Sequence, residues 1–234
     1  MKAPRPKRRG LESGKQAIMR ARCAQCGSFH CSQEGPFEGG NLPKFCPMRE
    51  QKEVLQEARA AYGRPVLREI FLESSRLEGQ YRKIPRTRLE ETMVFAEQMG
   101  YRKLGLAFCL GLQREASTIA RVLEARGFQV IGACCKMGRM PKEEMGLAEE
   151  EKIRPFHFEA CCNPIGQAEI LRKEGTEFNV MVGLCVGHDS LFIGHSAAPV
   201  TCLIAKDRVL GHNPAAAVYT CESYYREKLL GEEP

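Results

Sequence analysis

Hydrophobic positions along the chain change rhythm near residue 100. Before it, they recur at helical spacing. Val54, Leu55 and Ala58 share one face between Glu50 and about Tyr62, and Val66, Ile70 and Leu77 share one between Pro65 and about Gln80. Pro65 suits a first helical turn, where its missing N–H is not needed. Arg86 to Gly100 reads as a third amphipathic helix, with Leu89, Met93 and Ala96 apolar and Gly100 as its stop. Beyond residue 100, short apolar runs alternate with helical stretches. The runs are Lys103–Cys109, Phe128–Cys135, Phe178–Cys185 and Pro199–Ala205. Helices are expected over Gln113–Arg126 and Pro164–Glu174, with a short one after Ser190, and the acidic stretch Glu143–Glu151 reads as a solvated helix face. Strand-like runs alternating with helices predict β-α-β units around a buried parallel sheet. The fold expected is therefore α/β: a parallel-sheet, Rossmann-like three-layer domain over residues 101–234, preceded by a helical segment over 49–100.

Cysteine usage changes this picture, because twelve cysteines exceed what ordinary packing needs. One set is tight: Cys23, Cys26, Cys31 and Cys46, the last followed by Pro47, within a Gly- and Pro-rich stretch. Such a stretch, residues 23–48, has little core of its own and reads as a metal-organised module. The other set is dispersed. Cys109, Cys134/Cys135 and Cys185 fall where strands are expected to end, and Cys162 precedes the Asn163–Pro164 helix start. Ligands of open parallel sheets bind at the carboxyl ends of the strands, so these thiols are expected at one edge. Neighbouring strand residues point to opposite faces, so Cys134 and Cys135 cannot both face one site, and the same holds for Cys161 and Cys162. Cys202 reads as core and Cys221 as structural.

Thiolate-rich sites select zinc or iron–sulfur clusters. The Cys-Pro ending and compact opening of the first set favour an iron–sulfur cluster, of the 4Fe–4S type, at one or both sets. Zinc at the N-terminal set, with His30 as a substitute ligand, is the alternative. His188, Asp189, Lys206, Asp207, Arg208, His212 and Asn213 are expected in loops just past the third and fourth strands. They are candidates to bind or protonate a small substrate, with His188 or His212 as acid or base and Lys206 for an anion.

Charge is unevenly placed. Residues 1–22 carry eight Lys/Arg against one acid, whereas the whole chain is +6, which leaves the remainder at −1. This basic arm is the one feature that favours nucleic acid, and the near-neutral body argues against it. No apolar run follows the basic start, as a secretory signal of about 7–15 apolar residues would require. No run approaches the ~20 residues of a membrane span. The chain therefore reads as cytoplasmic, where thiols stay reduced and serve metal or redox chemistry.

KLGLAFCLGL, CKMG, EACCNPIGQAEIL, FNVMVGLCVGHDSLF and KDRVLGHNPAAAVYT resemble the motifs of an uncharacterised family of predicted metal-binding, cysteine-rich proteins from anaerobic bacteria and archaea. The resemblance covers about residues 23–226, and it matches Cys109, Cys135, Cys162 and Cys185 to the family's cysteines. It implies metal and an anaerobic setting, and it names no reaction. An iron–sulfur protein with redox or sulfur-handling activity on a small substrate, or with a redox partner protein, is the leading expectation. A non-catalytic zinc protein that docks a nucleic acid or protein partner is the other.

Overall fold

A computed structural model describes residues 21–34 and 42–231. The basic arm through residue 20 and the glycines of residues 35–40 lie outside the described residues. Contacts group the chain into two units, Met1–Arg68 and Glu69–Pro234.

In the first unit, 3-10 turns at Cys23–Gln25 and His30–Ser32 precede helix α1 (Pro47–Glu50) and helix α2 (Lys52–Ala61). The helix expected from Glu50 onward thus begins in two pieces, broken at Gln51. Pro47 occupies the first turn of α1, and Cys46 sits at its cap. Helix α3 (Pro65–Gln80) starts at the proline that the sequence marks.

Helix α4 (Arg88–Gln98) opens with a capping box. Thr87 N donates to Glu90 Oε2 at 2.7 Å, and Glu90 N donates to Thr87 Oγ1 at 3.3 Å, so two otherwise orphaned amides are satisfied. The elements that follow are β1 (Lys103–Phe108), α5 (Gln113–Ala125), β2 (Gln129–Cys134), α6 (Pro164–Lys173), β3 (Phe178–Val182), α7 (His188–His195), β4 (Val200–Ile204), α8 (Ala215–Tyr219) and α9 (Arg226–Leu230). The four strands form one all-parallel sheet in the order β2-β1-β3-β4. Helix α7 begins at His188, earlier than expected.

The two-residue alternation of the strands sorts side chains into two cores. Leu104, Leu106, Phe178, Val180 and Val182 pack with Met93 and Ala96 of α4 and with Ala116, Ile119 and Leu123 of α5. On the opposite face Ala107, Ala133 and Met181 pack with Ala168 and Leu171 of α6 and Phe192 of α7. The sheet is therefore the middle of three layers. Each fully buried Leu or Val contributes about 1.5–3 kcal/mol.

Two glycines allow close packing next to the sheet's carboxyl edge or within it. A Cβ on Gly105 would lie 2.0 Å from Asn179 Oδ1 and 2.8 Å from Leu171 Cδ1. Asn179 is held there by Thr176 Oγ1 and Ser196 Oγ, each at 2.8 Å. Gly183, at φ +63, turns the chain just past β3 where a Cβ would meet Leu112 Cδ2 at 2.6 Å.

The acidic stretch departs from its expected form. Instead of a solvated helix, residues 143–151 contain two 3-10 turns, Glu143–Met145 and Glu149–Glu151, folded around Lys152. The Lys152 side chain is 1% exposed and pairs with Glu143 and Glu149, the latter at 2.7 Å. A buried ammonium needs such partners, and that requirement overrides the helical charge pattern. Among the described residues no helix is long and apolar enough to cross a membrane.

Candidate metal centre

Strand order places the site. From β1 the chain moves outward to β2, then returns to lay β3 on the other side of β1, so the direction of strand addition reverses between β1 and β3. In open α/β sheets this reversal leaves a crevice outside the carboxyl ends of the strands, where ligands bind. Cys109 follows β1, Cys135 follows β2, and Cys185 lies just beyond β3. Cys162 comes from the start of α6. Backbone bonds bring it in: Cys135 N donates to Phe108 O at 2.9 Å, and Asn163 N donates to Cys135 O at 2.7 Å. Asn163 then caps α6 by accepting from Gly166 N at 2.8 Å. Below the thiols, buried Gln167 of α6 donates from Nε2 to Ala133 O at 2.6 Å and Phe108 O at 3.2 Å. It thereby ties together the ends of the two strands that carry Cys109 and Cys135.

The sulfurs form a connected group. Cys162 Sγ lies 3.8 Å from Cys135 Sγ, and Cys135 Sγ accepts from Leu110 N at 3.3 Å. Cys109 Sγ accepts from Lys206 Nζ at 2.6 Å, and Cys185 Sγ accepts from Arg208 Nη2 at 3.1 Å. The Cys135 thiol, hydrogen-bonding to Cys109, holds Cys109 down to about 4, and the Lys206 ammonium pulls the same way against burial. Cys162 is likewise drawn down to about 5 by Cys135, helped by the charges of Lys136 and His188. Cys135 itself is pushed up, first by its hydrogen bonding with Cys109 and Cys162 and then by burial. The hydrogen bond to Cys185, more than the surrounding sulfur charges, raises Arg208. The raised Cys135 thiol thus lies between the lowered thiols of Cys109 and Cys162, with Lys206 on Cys109 and Arg208 on Cys185.

The remaining candidates separate into those near sulfur and those that shape loops. Lys206 and Arg208 touch thiols, and His188, at the first position of α7, lies near enough to act on Cys162. Asp189 Oδ1 accepts from Gly187 N at 2.9 Å and Ser190 N at 2.7 Å. Asp207 Oδ1 accepts from Val209 N at 2.9 Å and Leu210 N at 2.8 Å. His212 Nδ1 accepts from Asp207 N at 3.1 Å, and Asn213 N donates to Leu210 O at 3.1 Å. Of the paired cysteines, Cys135 is buried among these thiols, whereas Cys161 Sγ turns toward Pro141 O at 3.9 Å and Cys134 closes β2. Cys202 lies within β4, with its thiol raised by burial. Gln167 and Lys136 carried no sequence signal: one is an ordinary polar residue in a helix, the other a single lysine after a cysteine.

The N-terminal set lines a single cavity of about 150 Å³, formed by Cys23, Cys26, Cys31 and Cys46 with Phe29, Leu42, Phe45 and Met48 among its walls. That is roughly tenfold the ~10–15 Å³ that admits one water. The Ser28 hydroxyl and backbone amides hold Cys26 below the usual thiol range. His30, also on the wall, has Nδ1 2.7 Å from Gln33 Oε1. Among the described residues no three His, Cys, Asp or Glu side chains are arranged as the ligands of one metal ion.

The family described as "Protein of unknown function (DUF1847)" matches residues 46–203. An uncharacterised protein of Methanocaldococcus jannaschii is 41% identical over 209 residues, 89% of this chain and 98% of that protein.

Proposed function

The chain belongs to the DUF1847 family, and we propose that it is an iron–sulfur protein with redox or sulfur-handling activity on a small substrate at the sheet edge. The observation that carries this reading is the meeting of Cys109, Cys135 and Cys162 at the reversal point of the sheet, with Cys185 beside them under Arg208. Soft thiolate donors in this number suit iron–sulfur clusters. The N-terminal residues fit the same kind of group. Four cysteines surround one cavity whose size suits a cluster of several atoms better than a single ion drawn in to about 2.3 Å from each sulfur. Cys23, Cys26, Cys31 and Cys46 would hold one cluster, and Cys109, Cys135, Cys162 and Cys185 the other. A cluster supplies one-electron redox capacity and a place for sulfur chemistry.

The chain's own residues supply the rest. Phe108, Ala133 and Gln167 fix where the thiols stand. Lys206 and Arg208 would offset thiolate charge, and His188 would carry a proton near Cys162. Asp189, Asp207, His212 and Asn213 hold the loops in which these groups sit. Anaerobic purification followed by iron and acid-labile sulfide analysis tests the reading. About four iron and four sulfide per loaded site, with a broad visible charge-transfer band, are expected for cubane clusters. Zinc without sulfide would overturn it in favour of a structural zinc protein that docks a macromolecular partner.

A further inference from the structure

We infer that the segment Lys206–Arg208 makes the sheet-edge site the better electron acceptor of the two cysteine sites. The inference rests on the iron–sulfur reading above and goes beyond it by ordering the two sites.

Lys206 and Arg208 leave the end of β4 and reach cysteines on both sides of the strand reversal. Lys206 Nζ donates to Cys109 beyond β1, and Arg208 Nη2 donates to Cys185 beyond β3. Asp207, between them, turns the other way. Its Oδ1 accepts from Val209 N and Leu210 N, and its backbone closes on His212, which returns a bond from His212 N to Asp207 O at 2.9 Å. The loop is thus fastened through Asp207, which leaves the two cations on sulfur. Asp189, the other nearby acid, spends Oδ1 on Gly187 N and Ser190 N.

Reduction adds one negative charge to a thiolate-bound group. N–H donors on the sulfurs and fixed cations stabilise that added charge, and hydrogen bonds to sulfur are among the factors that set cluster potentials. The N-terminal cavity has donors on one sulfur, the Ser28 hydroxyl and backbone amides at Cys26, but no fixed cation among the described lining residues: its walls are cysteines, Ser28, His30 and apolar or proline side chains, with no lysine or arginine. An electron donated by an external one-electron reductant such as dithionite therefore resides at the sheet edge first.

The test is a stepwise dithionite titration of the full chain, loaded with iron and sulfide, followed by electron paramagnetic resonance. Two midpoints are expected in the wild type. A Cys23→Ser/Cys26→Ser variant should retain the higher one; retention of the lower one alone would overturn the inference. Lys206→Met and Arg208→Met should each lower the reduced-to-oxidised ratio of the higher-potential signal about tenfold at fixed solution potential, about 59 mV for a one-electron couple. Lys206→Arg should restore most of it, and the other signal should not move. An unchanged ratio in iron-loaded Lys206→Met and Arg208→Met, or an equal shift of both signals, would overturn the inference while leaving the iron–sulfur reading intact. Absence of iron and sulfide from the wild type would overturn that reading, and the ordering of sites with it.

Discussion

Cys135 and Cys162 meet with their sulfurs 3.8 Å apart, although 26 residues of loop and turn separate them in the chain. Cys134 and Cys161, their immediate neighbours, do not share that contact. Serine at Cys135 or Cys162 is expected to remove bound iron from the sheet edge and leave that of the N-terminal set. Serine at Cys134 or Cys161 should leave both. Iron per chain, measured in each variant, separates these outcomes.

The lowered thiols give the metal-free, reduced protein a definite pH dependence. Cys109 and Cys162 are drawn down to about 4 and about 5, below the ~8.5 of an unfolded thiol. Between those values the unfolded chain binds more protons, so stability rises with pH and is lost as pH falls through the folded values. Cys135, raised instead, opposes this only above the unfolded thiol range. The thermal midpoint should therefore climb from about pH 5 to pH 8, and Lys206→Met should flatten the climb.

Gln167 joins two strand ends through one amide. Gln167→Leu leaves the buried Ala133 carbonyl without that donor, whereas Phe108 O keeps Cys135 N, at a cost of about 1–3 kcal/mol. Urea unfolding of the metal-free protein should show this loss. The same variant should bind less iron at the sheet edge, because the strands that carry Cys109 and Cys135 are no longer pinned.

Gly105 and Asn179 form a tight pair across neighbouring strands. Gly105→Ala places a methyl group 2.0 Å from Asn179 Oδ1, and overpacking of this kind costs about 1–3 kcal/mol. Asn179→Ala in the same chain should recover part of the loss, since it removes the clashing amide. A double-mutant cycle that shows simple additivity would contradict the contact.

Around Lys152, the carboxyl groups of Glu143 and Glu149 are held below their usual range by its ammonium, and Glu159 by Lys142. Groups lowered in this way stabilise the fold above the ordinary carboxylate range and lose that effect as pH falls. Urea midpoints should drop between pH 5 and pH 3, and Lys152→Met should reduce the drop.

Much of the α/β plan was legible because strands and helices bury side chains at different periods. The runs KLGLAF, QVIGAC, FNVMV and VTCLI are the four strands, and Pro65, Gly100, Gly127 and Gly175 mark helix boundaries by their backbone restrictions. The placement of Cys109, Cys135 and Cys185 at strand ends also follows from the sequence, since each closes or follows an apolar run. Local pattern failed at Glu143–Glu151, where a buried lysine reorganised the acids, and in Lys206–Asn213, where polar residues look alike until the loop closes.

What the sequence by itself determined is the order of elements and the nearness of the cysteines to strand ends, because both are set by periodicity along the chain. Only the tertiary structure decided the strand order, which of two neighbouring cysteines meets its partner, and which polar residues reach sulfur. Period-two alternation governs side-chain direction within a strand, but Cys135, Cys162, Lys206 and Arg208 lie just outside regular elements. There the direction of each side chain depends on hydrogen bonds to residues far away in the chain, such as Asn163 N to Cys135 O and Lys206 Nζ to Cys109 Sγ.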